Sequence, residues 1–259
     1  MRTASTNAVV SLFRRLTVAV AICVLPVMAA WSQADNDDTI AKGELVEFKA
    51  DYELRRNSIR AAKLTRTLSC ENGVCEYRSQ GRTVGFADLL FRGSINEWSR
   101  FYLEDGKIVP RDYYYSMRAR GTDNDYRRLF FNPQTGRVSS RGDERWEAEV
   151  DGEAMDQLLS QLRLMLAVSA GETEMAFTVV DDDGSLDEYR FITKGVESVE
   201  TGAGTFEAIR VEHVEDERKR RHTTMWFAPD LGFIPVIVKQ ERRDRETYTA
   251  TLTRVHKDP

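Results

Sequence analysis

A mainly β fold is predicted here: one curved or barrel-like antiparallel sheet with one long amphipathic helix packed against it. Three observations carry that expectation. Short runs of alternating apolar and polar residues recur along the chain, each bounded by Gly, Asn, Asp or Pro, which is the pattern of half-buried strands. A sustained three-and-four spacing of apolar residues runs through residues 151–171, and that is the period of a helix. Of 259 residues, 41% are apolar and 31% charged, enough hydrophobicity for a buried core rather than a disordered chain.

In chain order, residues 35–44 are polar and acidic and read as a flexible leader, and 45–256 as a single β-rich domain. Val46, Phe48, Ala50, Tyr52 and Leu54 alternate with Glu47, Lys49, Asp51 and Glu53, a strand with one wet face. Ala62, Leu64, Leu68 and Cys70 continue the period up to Asn72-Gly73, and Cys75, Tyr77 and Ser79 return. Asn-Gly demands a type I′ two-residue turn. That turn sets Cys70 opposite Cys75 at a non-hydrogen-bonded pair, where side chains are closest. A Cys70–Cys75 disulfide that locks register is therefore expected. A redox-active pair would have two intervening residues and a helix N-terminus.

Strands follow at residues 98–103, 107–117, 126–131 and 137–150. The helix runs from an Asp151 cap through Met155, Leu158, Leu159, Leu162, Met165 and Leu166 to Gly171. Strands return at 175–179, 189–193 and 205–214. Residues 223–240 form a hairpin around Pro229-Asp230-Leu231-Gly232, with Gly232 expected at positive φ and a bulge or sheet edge expected at Pro235, which lacks an N–H. A last strand spans 246–255. Tyr113-Tyr114-Tyr115 cannot all point inward on a strand, so at least one ring is expected outside.

The N-terminal 34 residues have the form of a signal peptide. Arg14-Arg15 precedes an apolar run over 16–30, and Ser32-Gln33-Ala34 supplies small residues for cleavage after Ala34. The run is short for a transmembrane span, which takes about 20 residues. The expectations are a periplasmic protein with no span after cleavage. Cleavage removes three arginines and no acid, taking the net charge from −5 to −8. Such an acidic chain is not a dedicated nucleic-acid binder.

Catalytic and cofactor signals are sparse. His213, His222 and His256 have no partner at ligand spacing for zinc. No nucleophile elbow, phosphate loop or dinucleotide fingerprint occurs, so no cofactor and no metal are expected. Asp181-Asp182-Asp183-Gly184 reads as an acidic turn rather than a calcium loop. The chain has 42 acids, which would allow a hydrolase with dispersed carboxylates, but nothing selects a pair. Two basic clusters at strand ends, with Arg218, Arg220 and Arg221 in one and Arg242 and Arg243 in the other, are candidate anion contacts.

Residues 202–252 carry a more specific signal. Gly202-Ala203-Gly204-Thr205-Phe206 leads into a strand with Ile209 and Val211, followed by Met225-Trp226-Phe227-Ala228-Pro229-Asp230-Leu231-Gly232-Phe233-Ile234-Pro235-Val236. This spacing resembles domain-of-unknown-function family 3108. The resemblance implies an exported, mostly β protein, like the curved sheet of lipoprotein carriers with a helix on its concave side. It implies no catalytic residues. The functional expectation is a non-enzymatic periplasmic binding or carrier module for a lipid-like or amphiphilic ligand, lined by Met155, Leu159, Leu162, Trp226 and Phe233. The alternative is an envelope interaction protein that docks a partner protein through exposed aromatics and basic strand ends.

Overall fold

A computed structural model describes residues 43–122, 124–142, 145–181, 183–214, 221–242 and 246–256. The signal segment, most of the leader, and Arg218, Arg220 and Arg243 lie outside the described residues.

Among the described residues, fourteen strands form one sheet. They are β1 (Phe48–Arg56), β2 (Ile59–Glu71), β3 (Val74–Thr83), β4 (Ser94–Glu104), β5 (Lys107–Arg118), β6 (Asp125–Asn132), β7 (Arg137–Gly142), β8 (Glu147–Glu149), β9 (Glu174–Val180), β10 (Leu186–Thr201), β11 (Gly204–Val214), β12 (Arg221–Ala228), β13 (Ile234–Arg242) and β14 (Thr247–Val255). Two helices interrupt them, α1 (Gly85–Phe91) between β3 and β4 and α2 (Gln157–Ala170) between β8 and β9. The spatial order is β8-β7-β6-β5-β4-β3-β2-β1-β14-β13-β12-β11-β10-β9. Every ladder is antiparallel, and the β1–β14 pair joins the two ends of the chain.

The two edge strands, β8 and β9, are not paired with each other, so the barrel-like sheet stays open along one seam. A strap crosses that seam. The chain leaves β8 at Glu149, and Met155 then makes a parallel bridge to Val179 of β9. Its N–H donates to the Thr178 carbonyl at 3.1 Å and its carbonyl accepts from the Val180 N–H at 2.9 Å. Six residues span at most about 20 Å, which sets how far the sheet has curled. The Trp146 ring, just before β8, also lies against Gly184 in the β9–β10 turn, where an added Cβ would meet the ring at 2.9 Å.

Local signals act as expected at several turns. Asn72 and Gly73 both have positive φ, and Cys70 and Cys75 pair directly, bridged by a disulfide with Cα atoms 4.0 Å apart. Gly232 has φ 70° and closes a 3₁₀ turn over Pro229–Leu231. The β12–β13 register shifts where Phe227 meets Pro235, the bulge that the missing N–H requires. Tyr113 and Tyr115 are buried while Tyr114 lies on the outer face and stacks on Trp98 at 5.3 Å.

The helix departs from expectation. It begins at Gln157, not next to Asp151, and Asp156 is its N-cap. The reason is local: Asp151 folds the chain into a turn through the Ala154 N–H, and Met155 is committed to β9. Ten of the fourteen residues of α2 are buried, so the helix has no broad wet face. A helix covered on nearly all sides is one that a sheet has wrapped around. Its first turn reaches β4 through Asp156, its middle lies against β9 through Arg163 over Phe177, and Ser169 near its end accepts from the Gly43 N–H.

Candidate functional site

Met155, Leu159 and Leu162 come together in the core, with relative exposures of 4%, 0% and 0%. Trp226 does not join them. It alternates with the inward-facing Met225 and Phe227 and stands on the outer face, opposite Arg210 of β11. There its indole N–H donates to Glu197 at 3.0 Å, and Arg210 bridges Glu197 and Glu212. The Arg210 and Trp226 hydrogen bonds hold the Glu197 carboxyl below the ordinary range. Phe233, partly buried at the end of the 3₁₀ turn, packs on the edge of the core. The five residues therefore do not line one surface.

The interior has a polar half as well. Tyr52, Arg66, Tyr77 and Ser99 share the inner face of β1–β4 by register. Arg66 lies over the Tyr52 ring at 5.6 Å, and burial pushes the pKa of both the Tyr52 and Tyr77 phenols up. Asp156 enters this half from the helix. Its Oδ1 accepts from Ser99 Oγ at 2.6 Å and from the Leu158 and Leu159 N–H groups at 2.9 Å each. Burial outweighs these bonds and lifts its carboxyl to about 6.

The outside of the molecule holds a feature that strand reasoning passes over. At one end of the sheet, β1 leads to β2 through Asn57, β3 leads to α1, and β5 leads to β6. The Val84 N–H donates to the Ala61 carbonyl at 3.0 Å, and the Thr83 side chain ties Asp88 and Gly93, fixing α1 at this rim beside the start of β2. Phe86, Leu89 and Leu90 are 65%, 71% and 50% exposed, and neighbouring Ile59 is 62% exposed. The i, i+3, i+4 spacing puts the three helix residues on one side. Large apolar side chains gathered in this way mark a contact surface more often than scattered ones do.

Cations border that surface. Register sets Lys63 beside Arg82, Arg82 beside Ser94, and Ser94 beside Arg118, one row across β2–β5. All four are exposed, as is Arg92, which closes α1. Among the described residues no carboxylate pairs with Lys63, Arg82, Arg92 or Arg118. Glu53, which faces Lys63 across the β1–β2 ladder, is engaged by Arg55 and Arg60. The described members of the sequence-predicted basic clusters lie at the same rim: Arg221 pairs with Arg242, and the Arg56–Glu246 contact and the Asn57 N–H to the Thr247 carbonyl join that end of β13–β14 to the β1–β2 turn. A separate shallow cleft of about 470 Å³ lies at the opposite end, by the β6–β7 turn, and none of the predicted site residues lines it.

A crystal structure of a beta-barrel-like protein of the DUF1849 family from Brucella abortus is similar, with 9% identity and a TM-score of 0.53 over 82% of this chain and 97% of that one. A protein with a YmcC-like fold from Bacteroides fragilis gives 14% identity and a TM-score of 0.37, covering 83% and 96%. A chain from Parabacteroides distasonis gives 10% identity and a TM-score of 0.35, covering 85% and 100%. No curated protein matches the sequence. The profile described as "Protein of unknown function (DUF3108)" matches residues 48–253, and the chain belongs to that family.

Proposed function

We propose that the protein is a non-enzymatic, exported module of the bacterial envelope that engages a lipid-like amphiphile. The contact is made at the α1 rim rather than inside the sheet. The carrying observation is the outward apolar face of Phe86, Leu89 and Leu90 beside Ile59. The interior positions that suggested a lined cavity, Met155, Leu159 and Leu162, are covered by protein, so an amphiphile meets the chain where apolar side chains face solvent. The signal-like residues 1–34 support export. Among the described residues no helix is long and apolar enough to cross a membrane, and the rim supports contact from one side.

The test is co-migration with nonionic dodecyl maltoside micelles in sedimentation velocity, using protein recovered after export. The wild type is expected to move with the micelles and the Phe86→Ser/Leu89→Ser variant to stay behind. Equal behaviour of the two proteins would refute the assignment of the rim.

A further inference from the structure

We infer that the amphiphile is presented to this protein as an anionic bilayer surface, which the rim recognises by inserting α1 and laying the Lys63–Arg82–Arg118 row, with Arg92, on the headgroups. This rests on the amphiphile reading of α1 and adds the chemistry of its partner. Two independent observations converge on it. The apolar face protrudes from the sheet instead of lining a groove: Phe86, Leu89 and Leu90 all lie on the short segment between β3 and β4 and are half or more exposed. A protruding apolar wedge suits the boundary between headgroups and acyl chains.

Charge supplies the second observation. The chain as a whole is acidic, with net charge −5, yet this rim carries a block of cations. Lys63, Arg82 and Arg118 sit in one row of the ladder, and Arg82 and Arg92 each stand within two residues of an end of the Val84–Phe91 segment. Apolar wedge and cations are thus covalently adjacent and held by the same strands. The Thr83 bonds to Asp88 and Gly93 hold the base of the wedge to the row. Asp88 is the acid of α1 itself, and its carboxylate is turned back to the Thr83 hydroxyl. A row of cations next to an inserted wedge is the arrangement that binds lipids of net negative charge in preference to zwitterionic ones.

The experiment is co-sedimentation of the exported, processed protein with large vesicles. One set is pure phosphatidylcholine and the other contains phosphatidylglycerol. Binding is expected to the anionic set, falling as salt is raised from 0.05 M to 0.5 M because screening shortens the reach of each cation. Each neutralised cation near such a surface weakens partitioning about fivefold, so Arg82→Gln/Arg118→Gln should lose about twentyfold or more, and Lys63→Gln/Arg82→Gln should match it. The Phe86→Ser/Leu89→Ser variant should lose binding to both sets. Equal binding to neutral and anionic vesicles, insensitive to both cation pairs, would overturn the anionic-surface inference and leave the amphiphile reading standing. Binding to neither vesicles nor nonionic micelles would overturn both.

Discussion

The buried cap of α2 makes a quantitative prediction about pH. Asp156 is 1% exposed. One oxygen, Oδ1, accepts three bonds, and the other, Oδ2, is buried without a hydrogen-bond partner. Burial lifts the carboxyl from 3.8 to about 6, against the pull of Ser99 and the two amides. Between those two values the native chain holds a proton that the unfolded chain has released. Stability from this group is therefore full at acid pH and declines as pH rises through about 6. At ~1.36 kcal/mol per decade, a rise of about two decades is worth about 3 kcal/mol. Asp156→Asn keeps the acceptor for Ser99, Leu158 and Leu159 but cannot ionise. Its unpartnered NH₂ costs roughly 1–3 kcal/mol, the same at every pH. Urea unfolding from pH 4 to pH 8 should show the variant gaining about 3 kcal/mol on the wild type, with the gain levelling off above pH 7. Parallel stability curves for the two proteins would refute the argument. They would mean that the helix N-terminus holds the carboxylate ionised despite burial.

Other perturbations test the scaffold. Replacing Cys70 and Cys75 with Ser opens a very short loop and should cost about 2 kcal/mol in thermal unfolding, with the sheet retained. At Gly184, φ is +85° and an added Cβ meets the Trp146 ring at 2.9 Å. Gly184→Ala should therefore cost roughly 1–3 kcal/mol, and less of that in a Trp146→Ala background, as measured by a double-mutant cycle. Leu162→Ala removes a side chain with no exposed surface and should cost about 2–5 kcal/mol by denaturant titration. Phe86→Ser/Leu89→Ser, by contrast, should leave stability within about 0.5 kcal/mol per substitution while abolishing lipid contact.

Most of the sheet is legible because its signals are local. The Asn72-Gly73 turn dictates its own register and with it the pairing of Cys70 and Cys75. The Pro235 bulge follows from a missing donor. Period-two alternation in β1 and β14 names the inward residues of strands that meet across about 200 positions of sequence. Less legible is anything set by neighbours distant in the chain. The helix start moved from Asp151 to Asp156 because Met155 pairs with β9, and no local pattern encodes that bridge. Trp226 looked like a pocket residue because aromatic rings in a hairpin are read by size. Strict alternation with Met225 and Phe227 would have placed it outside. The seven residues of α1 are too few to establish a helical period by themselves. Its signal was nevertheless present in Phe86, Leu89 and Leu90 at helical spacing beside Arg82 and Arg92.

The apolar surface of this molecule is divided between two tasks, and burial separates them. A sheet of this curvature could leave a lined cavity or could close on a helix. Here α2 brings Leu158, Leu159, Leu162 and Met165 into the concave side and buries them nearly completely. Those residues are needed for stability, since β8 and β9 share no ladder and α2, together with the strap and the Trp146–Gly184 contact, links the two sides of the open seam. Phe86, Leu89 and Leu90 of α1 contribute little to the core and remain half or more exposed. Exposed apolar groups gain the most from meeting an apolar phase, about 25 cal/mol per Å² removed from water. On the proposed reading, the burial that keeps α2 as core leaves the rim as the apolar surface offered to a lipid.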